Sequence, residues 1–272
     1  TDDLERHIFS EYKIESGNYY RKIKQSEQFK VFETMFQESV NNITECINAV
    51  VTKSEEVNID QLLDSVKKIT DDFNPDVSLF DMIHCIEGYD DLTYIHSINV
   101  ALISRVIGNW MGLSPEECDT LTICGLLHDI GKVMISDEIL LKPAKLTPDE
   151  YEYVKSHSLR GYDIVNSISD LLDKDYVQYS REITRSHHEK YDGSGYPDGL
   201  KGDEIPISAQ IVSIADCYVS LISESVYKSA IPCDEAFNMI LNGECGVFSY
   251  KLLECFRKAR KELEEYVKKS GE

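Results

Sequence analysis

The sequence predicts an all-α chain, and two observations lead there. Nearly every segment with a clear hydrophobic period repeats at helical spacing, and two helix starts carry complete capping signals. In order, residues 1 to about 27 are polar, carry Gly17 and lack a convincing period, so a linker or the tail of another domain is expected there. From about Phe29 to Val51, residues Phe32, Met35, Phe36, Val40, Ile43 and Ile47 fall on one helical face. A second amphipathic stretch runs from Ile59 to Phe73 and is ended by Asn74-Pro75. His96 lies on a third, which also presents Val100, Ile103 and Ile107.

Ser114-Pro115-Glu116-Glu117 supplies an N-cap serine, a proline in the first helical position and a glutamate to close a capping box. The helix it opens is predicted to run through Leu121 and Leu126 to His128-Asp129, with Gly131 as its stop. Thr147-Pro148-Asp149-Glu150 repeats the device and opens a helix carrying His157 and Gly161. Asp216 sits in the apolar helical run from Ile211. These segments divide into an N-terminal linker and helical segment, 1–75, and a larger domain, 76–272.

Composition narrows the classes. With 28 basic and 49 acidic residues the net charge is −21, which argues against a general DNA- or RNA-binding surface. A small anionic substrate still fits if bound metal supplies local positive charge. No apolar run approaches the roughly 20 residues that cross a bilayer, so no membrane contact is expected. Thr1-Asp2-Asp3 has neither the basic nor the hydrophobic segment of a secretory signal, and the missing initiator methionine suggests a piece of a longer chain. Eight scattered cysteines with no CxxC pair read as reduced thiols in a cytoplasmic protein. The amphipathic N-terminal helix offers a face that can pair with a second copy.

Five of the seven histidines stand in a telling order with two aspartates. His96 comes first, then His128-Asp129 with Gly131-Lys132, His157 with Gly161, His187-His188-Glu189, the turn-rich run Asp192–Pro197, and Asp216. Alone, each also fits a packed core histidine, a chance His-Asp pair or an ordinary loop. Together, imidazoles and carboxylates without thiolates form a ligand set for hard or borderline metals such as Fe, Mn, Zn or Ni. Asp129, with two carboxylate oxygens, can bridge two metals about 3.5–4 Å apart, a spacing suited to clamping a phosphoryl group. Such a site hydrolyses without a covalent nucleophile from the protein.

His128-Asp129 with Gly131-Lys132, HxxxG at His157–Gly161 and HHExxDGxGYP at His187–Pro197 resemble the HD-GYP family, a branch of the HD phosphohydrolases. The similarity runs from about Ile59 to Arg257 and includes Ile139–Pro143, Leu146-Thr147 and Asp234–Ala236. The resemblance implies an HD-domain helical bundle with a central metal cluster, and hydrolysis of cyclic di-GMP to linear pGpG or GMP. It implies two divalent metals, Fe or Mn first, held by His96, His128, Asp129, His157, His187, His188 and Asp216. Asp129 and Lys132 take the catalytic positions, with Lys132 reaching a substrate phosphate as a point charge. Tyr196, Tyr227 and Lys228 join Lys132 as candidate substrate contacts. Tyr196 packs either on a base or on the helices beneath, and the Asp192–Pro197 loop is a candidate surface for a protein partner. Glu189 reads either as a surface residue or as a carboxylate orienting a ligand histidine.

Three positions depart from the family pattern. Leu92 stands where members with a third metal carry a glutamate, one turn before His96, so two metals are expected. Val219 replaces a second aspartate after Asp216, and Ser225 replaces an arginine expected to fork onto a phosphate. Ligands therefore survive while part of the substrate grip has changed. That leaves room for a catalytically weak sensor or interaction module, and for a nucleotidase of linear nucleotides, against which the intact GYP run counts. A lost forked contact is worth about 1.5–3 kcal/mol. Ser225→Arg is expected to raise kcat/KM on cyclic di-GMP by about 10–100-fold in steady-state assays, and an unchanged value would remove the phosphate-grip reading.

Overall fold

The computed structural model describes residues 19–52, 58–71, 79–86, 92–169, 174–223 and 230–258. Among them there is no strand. The helices are α1 (Glu27–Thr52), α2 (Ile59–Asp71), α3 (Leu79–His84), α4 (Leu92–Trp110), α5 (Pro115–Leu127), α6 (Asp137–Leu140), α7 (Pro148–Lys155), α8 (His157–Ser167), α9 (Lys174–Ser186), α10 (Ile207–Ile222), α11 (Cys233–Leu241) and α12 (250–258). A short helical stretch at 19–24 precedes them, and 3-10 turns stand at Ile130–Met134 and Gly202–Glu204. Both predicted capping boxes form: Ser114 and Glu117 at α5, and Thr147 and Glu150 at α7, exchange side-chain and backbone hydrogen bonds. No helix among the described residues is long and apolar enough to cross a membrane. All eight cysteines are free thiols, most of them buried.

One continuous apolar core joins the N-terminal helices to the rest. The predicted stripe of α1 is buried at Phe32, Phe36, Val40, Ile43 and Ile47. It packs on Leu62, Leu63, Val66 and Ile69 of α2. Asp119 of α5 ties α2 and α4 together, accepting from Lys67 at 2.7 Å and from Arg105 at 2.6 Å.

Three sequence expectations change here. The end of the expected N-terminal linker is helical at residues 19–24: Ile23 is buried, Tyr19 Oη donates to Asp81 at 2.9 Å, and the Tyr20 ring lies 4.4 Å from that of His84. The stretch is too short to show a period, and its partners on α3 come from about 60 residues further along the chain. Gly131 does not stop α5, which closes at His128 in right-handed helical conformation and passes into the 3-10 turn. The helix opened by Thr147 is two helices, broken at Ser156, so His157 opens α8.

The central layer is α4, α5 and α10. Helix α10 is buried nearly all round, as its almost unbroken apolar sequence requires. Its Tyr218 is fully buried among Phe80, Phe237 and Phe256, with ring centroids 5.0–6.0 Å away. Asp216, two residues earlier, therefore points to the opposite side. Helices α4 and α5 touch backbone to backbone: a Cβ on Gly125 would lie 2.8 Å from Ala101 Cα. That approach brings His96 of α4 beside His128 at the end of α5, with rings 5.4 Å apart. Gly125→Ala is expected to cost about 1–3 kcal/mol, read as a lower urea midpoint at unchanged m-value. A wild-type midpoint would show that the two helices can part freely.

Candidate metal centre

All seven sequence-predicted ligands converge. His96 comes from α4, His128 and Asp129 from the end of α5, His157 from the start of α8, His187 and His188 from the end of α9, and Asp216 from α10. The backbones approach closely enough only because residue 131 has no side chain: a Cβ there would sit 1.9 Å from the His157 carbonyl oxygen and 2.5 Å from Gly161 N. This close approach is the physical reason for the glycine that sequence reading took for a helix stop.

Asp129, 3% exposed, stands at the middle, and its two oxygens face different histidines. Oδ1 lies 3.2 Å from His157 Nε2 and 3.8 Å from His187 Nε2. Oδ2 lies 3.2 Å from His128 Nε2 and 3.8 Å from His96 Nε2. His188 Nε2 is 3.2 Å from His157 Nε2, and Asp216 Oδ1 is 3.0 Å from His96 Nε2. Two ligand groups result, Asp129 with His157, His187 and His188, and Asp129 with His96 and His128, each with donor atoms within 4.8 Å of one another.

Backbone carbonyls set the tautomers. His128 Nδ1 donates to Gly125 O at 2.7 Å, His157 Nδ1 to Val154 O at 2.7 Å, and His187 Nδ1 to Ile183 O at 3.0 Å. A carbonyl can only accept, so each Nε2 keeps its lone pair and aims it inward. Burial, then the neighbouring His188, His128 and His157, push His187 well below the usual imidazole range. Burial outweighs Asp216 and takes His188 down to about 3. Burial would raise the two carboxylates, but Lys132 and His128 hold Asp129, and His96 holds Asp216, well below the carboxylate range. His187 and His188 are therefore held as neutral imidazoles beside ionised carboxylates, protonation states that ligate metal, while at His128 burial is outweighed by Asp129, which raises that imidazole above its usual range.

Orphaned polar atoms complete the fit. His96 Nε2, His128 Nε2 and Asp129 Oδ1 are fully buried and make no hydrogen bond of good geometry. Buried donors and acceptors without partners are costly. Divalent cations in the two groups, sharing Asp129, would give all three atoms a partner, and the donor chemistry suits them.

The surroundings revise one reading. Glu189 orients no histidine. Its carboxylate accepts the backbone N–H groups of Asp198 at 2.7 Å, Gly199 at 3.1 Å and Leu200 at 3.0 Å, which pins the glycine-rich loop. The outer ring nitrogens of His128, His157 and His187 are held by carbonyls, and the Glu189 carboxylate is taken up by the loop backbone. Arg185 of α9 forks onto Asp198 of the same loop at 2.7 and 2.8 Å. Lys132 is engaged within the centre, donating to Asp129 Oδ2 at 2.5 Å. Tyr196 stacks on His188, with ring centroids 4.7 Å apart and planes at 28°. Val219 is fully buried in the apolar contacts of α10. Ser225, Tyr227 and Lys228 lie outside the described residues. Sequence reading passed over Lys155, whose ammonium stands over the Tyr196 ring. Its position two residues before His157 was the available signal.

The histidine and aspartate centre in a helical bundle is that of an HD protein, and the chain belongs to the HD domain family, which matches residues 82–244. A cyclic di-GMP phosphodiesterase of Thermotoga maritima is 38% identical over 186 residues, 68% of this chain and 50% of that protein. A 3'3'-cGAMP-specific phosphodiesterase of Vibrio cholerae is 38% identical over 150 residues, 55% of this chain and 28% of that one. The chain thus spans half or less of these curated relatives. The fold matches Bd1817, an HDG"Y"P protein from Bdellovibrio bacteriovorus, with a TM-score of 0.67 at 19% identity over 96% of this chain and 81% of that one. The fold match and the relatives bear out the HD-GYP likeness read from the sequence.

Asp129→Ala is expected to lower metal affinity by more than the roughly 10–100-fold typical of an outer-shell change, since it removes the carboxylate shared by both ligand groups. Elemental analysis of anaerobically purified protein reads the loss. Wild-type metal content in that variant would overturn the assignment.

Proposed function

We propose that this chain is a metal-dependent phosphodiesterase that opens a cyclic dinucleotide, with cyclic di-GMP as the first substrate to test. The observation that carries the reading is Asp129, each of whose oxygens faces its own set of histidines. His157, His187 and His188 with Oδ1 would hold one divalent metal; His96, His128 and Asp216 with Oδ2 would hold the other. Iron or manganese suits a centre rich in imidazole and carboxylate and lacking thiolate. When bound, such metals polarise a phosphoryl group and lower the pKa of water.

The chain's own side chains do the rest. Burial opposes the charge on Lys132, but Asp129 prevails and raises its pKa, so the ammonium stays charged beside the centre. There it can offset charge on a phosphoryl oxygen. Burial, with Tyr151, Asp129 and Asp216 nearby, pushes the Tyr196 hydroxyl far up, so it stays neutral at the rim. Tyr227 and Lys228 are proposed as further substrate contacts by motif position. Leu92 leaves the third-metal position without a carboxylate, which supports two metals per chain.

The proposed division sets 76–272 as the catalytic unit, preceded by an N-terminal linker and helical segment at 1–75. A protein partner on the Asp192–Pro197 loop extends the same reading, whereas the apolar face of α1 expected to pair with a second copy is filled by α2 of the same chain. The free thiols support a cytoplasmic setting.

A second reading has one specific support. Val219 is purely a packing residue, and Ser225 cannot fork onto phosphate, so a binding module with slow or no turnover fits the altered grip. Anaerobically prepared protein is expected to carry two metals per chain and to convert cyclic di-GMP to pGpG or GMP, followed by chromatography. Metal-replete protein that yields no linear product from any cyclic dinucleotide would remove the enzyme reading and leave the module.

A further inference from the structure

A cation at the mouth of the metal centre has no part in the hydrolysis proposed above. Lys155 ends α7, two residues before His157. Its Nζ lies 5.0 Å from the centroid of the Tyr196 ring and 5.7 Å from that of Tyr151. The Tyr196 ring in turn stacks on His188, so ammonium, phenol ring and imidazole form a column that descends to the ligand cluster. The ammonium donates to both oxygens of Glu152, at 2.9 and 3.1 Å, and that carboxylate is 67% exposed. Only the glutamate of this pair is largely in solvent, the Lys155 side chain being 25% exposed, and an i, i+3 pair with so open a partner contributes little, so the ammonium can turn to a ligand at small cost.

The platform beneath it is rigid. The Tyr196 backbone N–H donates to the His188 carbonyl at 3.3 Å. Glu189 and Arg185 pin the residues that follow it. Tyr151, by contrast, is 53% exposed and leaves a ring open to solvent.

Open aromatic surface beside a donor-only cation is chemistry that suits a purine. Stacking on a tyrosine ring accepts any base. The ammonium discriminates: guanine presents two acceptors, O6 and N7, along one edge, whereas adenine sets an amino donor beside N7. We propose that Lys155, held between Tyr151 and Tyr196, is a specificity-determining residue that selects guanine over adenine in the cyclic dinucleotide. The assignment rests on the phosphodiesterase reading and adds the base preference to it.

The test is steady-state turnover of cyclic di-GMP and cyclic di-AMP by the metal-replete chain, with metal content measured for every variant. Lys155→Met is expected to lower kcat/KM on cyclic di-GMP by about 10–100-fold, mainly through KM, and to change cyclic di-AMP by less than about threefold. Lys155→Gln offers an acceptor and a donor that match adenine, so it is expected to shift preference toward cyclic di-AMP. Where Lys155→Met loses metal or fails to fold, the direction of the glutamine shift decides. An unchanged guanine-to-adenine ratio in both variants, whether from equal losses or from none, overturns the assignment while leaving the phosphodiesterase reading in place. A wild-type chain that hydrolyses neither compound removes that reading, and the assignment with it.

Discussion

The rest of this structure depends on one buried carboxylate. Asp129 is almost fully withdrawn from water, yet it stays ionised, because Lys132 and a ring of imidazoles surround it. Isolating a charge in an apolar bundle is expensive unless it is paired and coordinated. Each neighbouring feature answers that demand. Helix α5 ends at His128 so that residues 128 and 129 face the same centre, and Gly131 lets α8 approach to backbone contact. Three carbonyls fix the imidazoles with their lone pairs inward.

The second constraint acts through α10. Tyr218 is locked in an aromatic nest formed by α3, α11 and α12, and its setting fixes the rotation of the helix. Asp216 is thereby aimed at His96. The helical stretch at 19–24 packs on the same side, where Tyr19 donates to Asp81, a carboxyl that burial raises to about 6. The N-terminal segment and the ligand aspartate are thus joined through one packed layer.

The glycine-rich loop shows how a motif can be legible while its mechanics are not. Its turn residues were plain in the sequence, as was Glu189 just before them. Glu189 could equally have served a histidine or the surface. In the fold the carbonyls of α5, α7 and α9 hold the outer ring nitrogens of His128, His157 and His187, and the carboxylate serves the loop backbone. The outcome reflects competition for partners, which appears only when distant segments are in place.

The sequence by itself named most of the helices, both capping boxes and the seven histidines and aspartates that the fold brings together, because these rest on local periodicity, i to i+3 contacts and residue chemistry. The same locality explains what it missed. The 19–24 helix is held by partners on α3, and the break at Ser156 aims His157 at residues nearly 30 positions before and after it. Whether residue 131 was a stop or a contact depended on how close α8 comes. Only the tertiary structure decided which oxygen of Asp129 faces which histidine, and that Lys155 meets Tyr196. Those relations join segments far apart in the chain, and no spacing along the sequence encodes the distance between them.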